Sequence, residues 1–175
     1  MPLLGGFQKV KSMIIRALSE SDSIALSGLL TGLTQREIEF FHPFPFEVSF
    51  VQKMLKDAKD DRYWGIWVGN ELAAVFMLRG MDEGYEIPSY GVAVDSEFRG
   101  AGLLKLSLEF SISWCALNGK QRLMLKVHPE NTIAKLTYEK FGFVQDRIEA
   151  ASGNLVYFRD VMVGETKGRN DRYHE

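Results

Sequence analysis

Cysteine is almost missing from this chain. Cys115 stands alone in 175 residues, which excludes an intramolecular disulfide and a cysteine-rich metal site and fits a reducing, cytoplasmic setting; no metal is expected. A dominant charge is missing too. Lysine and arginine number 21 against 23 aspartates and glutamates, a net charge of −2. No global basic field of the kind nucleic-acid binders use is available, so no nucleic-acid partner is expected. Long apolar runs are also absent. Residues 1–6 are apolar but far too short to cross a bilayer, and they carry no basic n-region or cleavage pattern, so no membrane partner is expected. With no internal repeat and no linker, the expectation is one domain over residues 8–163, as a monomer or homodimer. Gly164–Glu175 is polar and without periodicity, which reads as a flexible tail. What remains is 46% hydrophobic and 25% charged, the composition of a soluble globular protein.

Taken in order, Lys11–Ala17 predicts a first strand, and Ser19-Glu20-Ser21-Asp22 supplies caps for a helix carrying Ile24, Leu26, Leu29 and Leu30. Thr34 caps a second helix running to Phe40. The stretch Phe40-Phe41-His42-Pro43-Phe44-Pro45-Phe46 ends it, because each proline lacks an N–H and pushes its predecessor towards extended geometry. Two readings of this aromatic loop stand side by side. It plugs the edge of the core, or it walls a substrate pocket through Phe41, His42 and Phe44. Glu47–Ala58 predicts an amphipathic helix. Tyr63–Val68 and Glu71–Arg79 predict a hairpin about Gly69-Asn70, and Tyr85–Val94 a further strand whose pairing is interrupted at Pro88.

The stretch Val92-Ala93-Val94-Asp95-Ser96-Glu97-Phe98-Arg99-Gly100-Ala101-Gly102-Leu103-Leu104 reads as strand, turn and helix start. The first N–H groups of a helix lack intrahelical partners and carry the positive dipole end, so the junction suits an anion, although glycines there also serve plain turns. The helix Leu103–Asn118 places Leu104, Leu108, Ile112 and Cys115 on one stripe, where Cys115 reads as a small buried hydrophobe. Gln121–His128 alternates as a strand, with Lys126 and His128 opposite Leu123, Leu125 and Val127. Asn131 caps a short helix that carries Ala134, Tyr138 and Phe141 and closes at Gly142; Phe143–Ala150 and Leu155–Val163 form a last hairpin.

Two motifs in this order, the glycine turn above and Asn131-x-x-Ala134-x-x-x-Tyr138-x-x-x-Gly142-Phe143, make nearly the whole chain resemble a GNAT-family N-acetyltransferase. The resemblance implies an α+β fold: a mixed, mostly antiparallel sheet of about seven strands, flanked by helices, with the fourth and fifth strands splayed. It implies acetyl-CoA (coenzyme A) as cofactor, held by Val92, Val94, Arg99, Gly100, Ala101, Gly102, Leu103, Leu104, Asn131 and Tyr138. Asn131 is open to two readings, a helix cap alone or a cofactor contact as well. The implied reaction is acetyl transfer to a small-molecule amine, such as an amino sugar or an amino-acid-like metabolite. Tyr138 is the implied proton donor to the leaving thiolate, beside its plainer reading as a packed aromatic.

Three positions depart from the family's commonest pattern: Glu97, Leu104 and Lys126, the last where some members place a glutamate base. The base is therefore left to Glu86, Tyr90, His128 or a water chain. Tyr90 and Lys126 join the candidate substrate contacts, Lys126 as a cation suited to an acceptor's carboxylate or phosphate. A GNAT-fold module that binds coenzyme A or a protein partner without chemistry is the alternative.

Overall fold

The computed structural model describes residues 11–161; the expected domain ends, the close of the last strand at Val163 and the tail 164–175 lie outside them. The elements are β1 (Met13–Ala17), α1 (Ser23–Thr31), α2 (Gln35–Phe40), α3 (Val48–Asp57), β2 (Arg62–Val68), β3 (Glu71–Arg79), β4 (Ser89–Val94), α4 (Leu103–Leu117), β5 (Arg122–Val127), α5 (Thr132–Lys140), β6 (Val144–Ile148) and β7 (Leu155–Asp160). Single 3-10 turns at Glu20–Asp22 and Ser96–Phe98 lead into α1 and towards α4. Local chemistry sets the boundaries. Thr34 and Glu37 form a reciprocal capping box at α2, and Asn131 Oδ1 accepts the Ala134 N–H at 3.3 Å to start α5. Gly142, at φ 81°, ends α5 in the left-handed conformation that only glycine adopts without cost.

The seven strands form one sheet in the order β1-β2-β3-β4-β5-β7-β6, antiparallel except for β4 and β5, which run parallel. The expected fold class is thus observed. Seven consecutive residues of β3, Leu72–Leu78, are buried, as befits a central strand covered on both faces. Ala74, Phe76 and Leu78 face a core completed by α4 and α5, with Trp64, Leu108, Leu123 and Tyr138. Val75 and Met77 face the other way, onto Leu26, Leu30, Val51 and Leu55 of α1 and α3.

Two expectations are corrected. The strand predicted from Tyr85 starts only at Ser89. Pro88 has no N–H to give, so its carbonyl opens the β4/β5 ladder by accepting the Met124 N–H at 3.0 Å, and Glu86 sits in the loop before the strand. On α4 the fully buried stripe is Leu103, Ser107, Leu108, Ser111 and Cys115, while Leu104 and Ile112 are only partly covered. Two serines reach the core because their hydroxyls donate to the helix's own carbonyls, Ser107 to Leu104 at 2.9 Å and Ser111 to Ser107 at 2.8 Å.

Candidate active site

The β4/β5 ladder is short. Ser89 pairs with Met124 and Tyr90 with Leu125, and beyond that point the two strands separate. This is the splay expected from the sequence, and it opens a gap in the sheet. A cleft of about 960 Å³ runs through the gap. Its lining draws Met77, Gly91 and Lys126 from the α1/α3 side and Tyr90 and Tyr138 from the opposite core, so both faces of the sheet contribute.

The free edge of β4 follows from its register. The Asp95 N–H donates to Ala73 O, and backbone groups alternate along a strand, so those of Val92 and Val94 point away from β3 towards the gap. They are placed to bind an extended ligand arm as an added strand would. Beyond them, Gly100 and Gly102 adopt φ 77° and 81°, and a Cβ built on either meets nothing within 4 Å. Gly102 is the N-cap of a 15-residue helix and brings no capping side chain, so the first-turn N–H groups of α4 stay available beneath open space. This cradle fits the diphosphate of coenzyme A. Ala101 is exposed, whereas the Leu103 side chain is buried and offers only its backbone. Asn131 caps α5 and also lines the cleft, so both of its readings find a place.

Arg99 is held by an ion pair to Glu37 of α2. Burial alone would raise the Glu37 carboxyl, but the Thr34 N–H and hydroxyl and the Arg99 charge together keep it low. Glu37 shows in the sequence only as the far half of a capping box; its reach to Arg99 is a tertiary fact.

The two tyrosines at the gap differ in one respect. Their rings meet edge to face at 6.3 Å and both are nearly fully buried. Tyr90 Oη is bonded to Ser107 Oγ at 2.7 Å, and because Ser107 gives its own proton to Leu104 O, the Tyr90 proton is committed to Ser107. Tyr138 Oη has no hydrogen-bond partner among the described residues, and its side chain lines the cleft. Burial pushes the Tyr138 phenol far above its ordinary range, so it stays protonated.

The aromatic loop divides its residues between both readings. Phe41, His42 and Pro43 wall the cleft. Phe41 lies so close over β4 that a Cβ at Gly91 would approach its ring to 3.1 Å. Phe44 is instead a correction to the expected substrate contacts. It is 5% exposed, packs on Phe46, Phe50 and Tyr63, and lies outside the cleft lining, because the alternating prolines turn it and Phe46 inward. Glu86 is exposed on the rim. His128 is outside the lining; its ring lies tilted against Phe40 with centroids 5.0 Å apart and its Nδ1 accepts the Glu130 N–H. Lys126 faces the cleft as expected, but Glu149 on the β6–β7 connection holds its ammonium at 2.6 Å and accepts from Ser152 as well. Those two bonds keep the Glu149 carboxyl low.

Comparison with known proteins agrees with this geometry. The acetyltransferase (GNAT) family model matches residues 31–143. No curated protein matches significantly. Among solved structures, a GNAT-family acetyltransferase from Streptococcus pneumoniae is 20% identical, with a TM-score of 0.66 over 86% of this chain and 100% of that one. RimL, a ribosomal L7/L12 alpha-N-protein acetyltransferase solved with coenzyme A, is 18% identical, with a TM-score of 0.72 over 86% and 94%. The ribosomal-protein-S18-alanine N-acetyltransferase of Escherichia coli is 19% identical, with a TM-score of 0.67 over 89% and 98%. At these identities the structures attest the shared fold.

Proposed function

As the chain belongs to the GNAT acetyltransferase family, we propose that it moves the acetyl group of acetyl-CoA to the primary amine of a small molecule, by direct attack in a ternary complex. The observation that carries this reading is the hydroxyl of Tyr138, a buried side chain that lines the cleft where the strands part and whose Oη has no hydrogen-bond partner among the described residues. Acetyl-CoA supplies an activated thioester. The free edge of β4 at Val92 and Val94 and the turn Arg99–Leu104 hold it. As the amine nitrogen bonds to the carbonyl carbon and the carbon–sulfur bond breaks, Tyr138 gives its proton to the departing sulfur. Glu86, on the rim, takes the amine's proton through water, and Phe41, His42 and Tyr90 shape the space around the acceptor.

The test is thiol release from acetyl-CoA over a panel of small amines, with the acetylated product identified by mass. Acetyl-CoA at a hundred times its Kd should stabilise the fold by about 2.7 kcal/mol, seen as a raised Tm. Stabilisation without turnover on any amine would instead identify a coenzyme A-binding module that does no chemistry. Peptides with free N-termini belong in the panel, since RimL and the S18 enzyme are named for protein acceptors.

A further inference from the structure

Arg79 ends β3 inside the cleft, and no sequence motif points to it. We propose that Arg79 selects the acceptor by binding an anionic group, carboxylate or phosphate, carried on the amine substrate; this rests on the transfer reading above. The guanidinium is partly buried. Its Nη1 donates to Pro43 O at 2.8 Å, its Cζ lies 5.3 Å from the centroid of the Phe44 ring, and its Nε is shielded from water with no acceptor among the described residues. No ion pair among the described residues includes it. Asp61 feels its charge, but that carboxylate accepts the Met81 and Asp82 N–H groups at 2.8 and 3.2 Å.

The other two basic chains of the lining are compensated, Lys126 by Glu149 and Arg147 by Asp146, each at 2.6 Å. Among the described residues Arg79 is therefore the one lining cation to which no carboxylate is bonded, and its buried Nε has no acceptor, a desolvation cost that a ligand anion offsets. Its rigid fork suits carboxylate and phosphate oxygens better than an ammonium would.

Its position fits such a ligand. Arg79 pairs with Ser89 and Ser89 with Met124, a cross-strand row one residue before Tyr90 and Leu125, where the gap opens. With strands about 4.8 Å apart and a rise of about 3.3 Å per residue, the mouth of the gap, two residues along and one and a half strands across, lies about 10 Å from the Arg79 backbone, within reach of the long arginine side chain and an acceptor whose amine and anion are a few bonds apart. Phe41, Met77, Tyr85 and Ile87 add apolar wall, and the carboxylates Glu83 and Glu86 stand exposed at its rim. An amino acid or an aminoalkyl phosphate matches that layout.

The experiment compares matched acceptors with saturating acetyl-CoA: phenylalanine against phenylalaninamide, leucine against leucinamide, and phosphoethanolamine against ethanolamine. The first two pairs read a carboxylate and the third a phosphate. The anionic member of at least one class should be favoured by about 10- to 100-fold in kcat/KM, the range of a charged hydrogen-bonded contact. The amide's less basic nitrogen offers more free amine at neutral pH, so reactivity alone would favour the amide. Arg79→Gln should erase the preference and leave the KM for acetyl-CoA unchanged. Calorimetry on the coenzyme A-loaded chain should show the same preference in acceptor binding. Should the glutamine variant not fold, Arg79→Lys, which keeps the charge and loses the fork, gives the comparison. A wild-type chain that acetylates amines without favouring either anion, or a variant that keeps the preference, overturns the proposal alone. A chain that acetylates no amine overturns the transfer reading and this proposal with it.

Discussion

Replacing Tyr138 by phenylalanine removes one oxygen and keeps the ring that packs on Tyr90 and Phe143. Because the hydroxyl has no partner among the described residues, no hydrogen bond among them is lost, and stability should change by no more than about 0.5 kcal/mol. Turnover should fall by about 100- to 10,000-fold, the usual contribution of a general acid, equivalent to about 2.7–5.5 kcal/mol of barrier. Tyr90→Phe should do the reverse. It deletes the 2.7 Å bond to buried Ser107, at a cost of about 1 kcal/mol, and removes a proton that takes no part in transfer. Urea unfolding and initial rates of thiol release, run on both variants, separate the roles. The pH profile adds a sign. Burial raises the Tyr138 phenol, so the acid form persists through the ordinary tyrosine range near 10, and kcat should show no alkaline fall below about pH 10. A Tyr138→Phe enzyme within about twofold of wild type, or a loss of turnover confined to Tyr90→Phe, would refute the assignment.

Asp22 accepts both Arg16 nitrogens at 2.7 and 2.9 Å, and chiefly that guanidinium brings its carboxyl from 3.8 to about 2. The folded value is the lower one, so its stabilisation is complete above about pH 4 and is lost as the pH falls towards 2. Allowing for screening at half-exposed Arg16, it amounts to about 1–2 kcal/mol. Asp22→Asn should remove that amount at pH 7 and flatten urea-unfolding stability between pH 4 and 2. Gly102→Ala places a side chain at φ 81° with nothing to strike, so its cost of about 1–2 kcal/mol is backbone strain alone. Its Tm should drop, and calorimetry should show weaker acetyl-CoA binding as the helix start shifts. Cys115 is fully buried, and burial pushes its thiol up to about 11. It should react with a disulfide reagent only in denaturant, and one equivalent of fast labelling in native buffer would contradict the packing described for α4.

Residue types announce chemistry, but the contact each side chain makes decides whether that chemistry is free to act. The local devices were legible for this reason: Thr34 capping α2, Asn131 capping α5 and the turn glycines at 100, 102 and 142 each act on backbone within a few residues of themselves. Pro88 was legible in kind and misplaced in effect, since a missing N–H forbids pairing before β4 but leaves a carbonyl to begin it. Commitments across the sheet left no local trace. In the sequence Tyr90 stands among the candidate bases beside Tyr138 as the implied donor, and it is Ser107, on a helix face predicted to be apolar, that separates the engaged hydroxyl from the available one. Lys126 was the evident cation for an acceptor's anion until Glu149, across a hairpin, neutralised it. Arg79 is in the sequence only the last residue of a strand, and it becomes a candidate anchor because Pro43 and Phe44 fix it where no carboxylate among the described residues is bonded to it. A functional group at this site is thus recognised by the partner it lacks, which a linear pattern of residue types does not record.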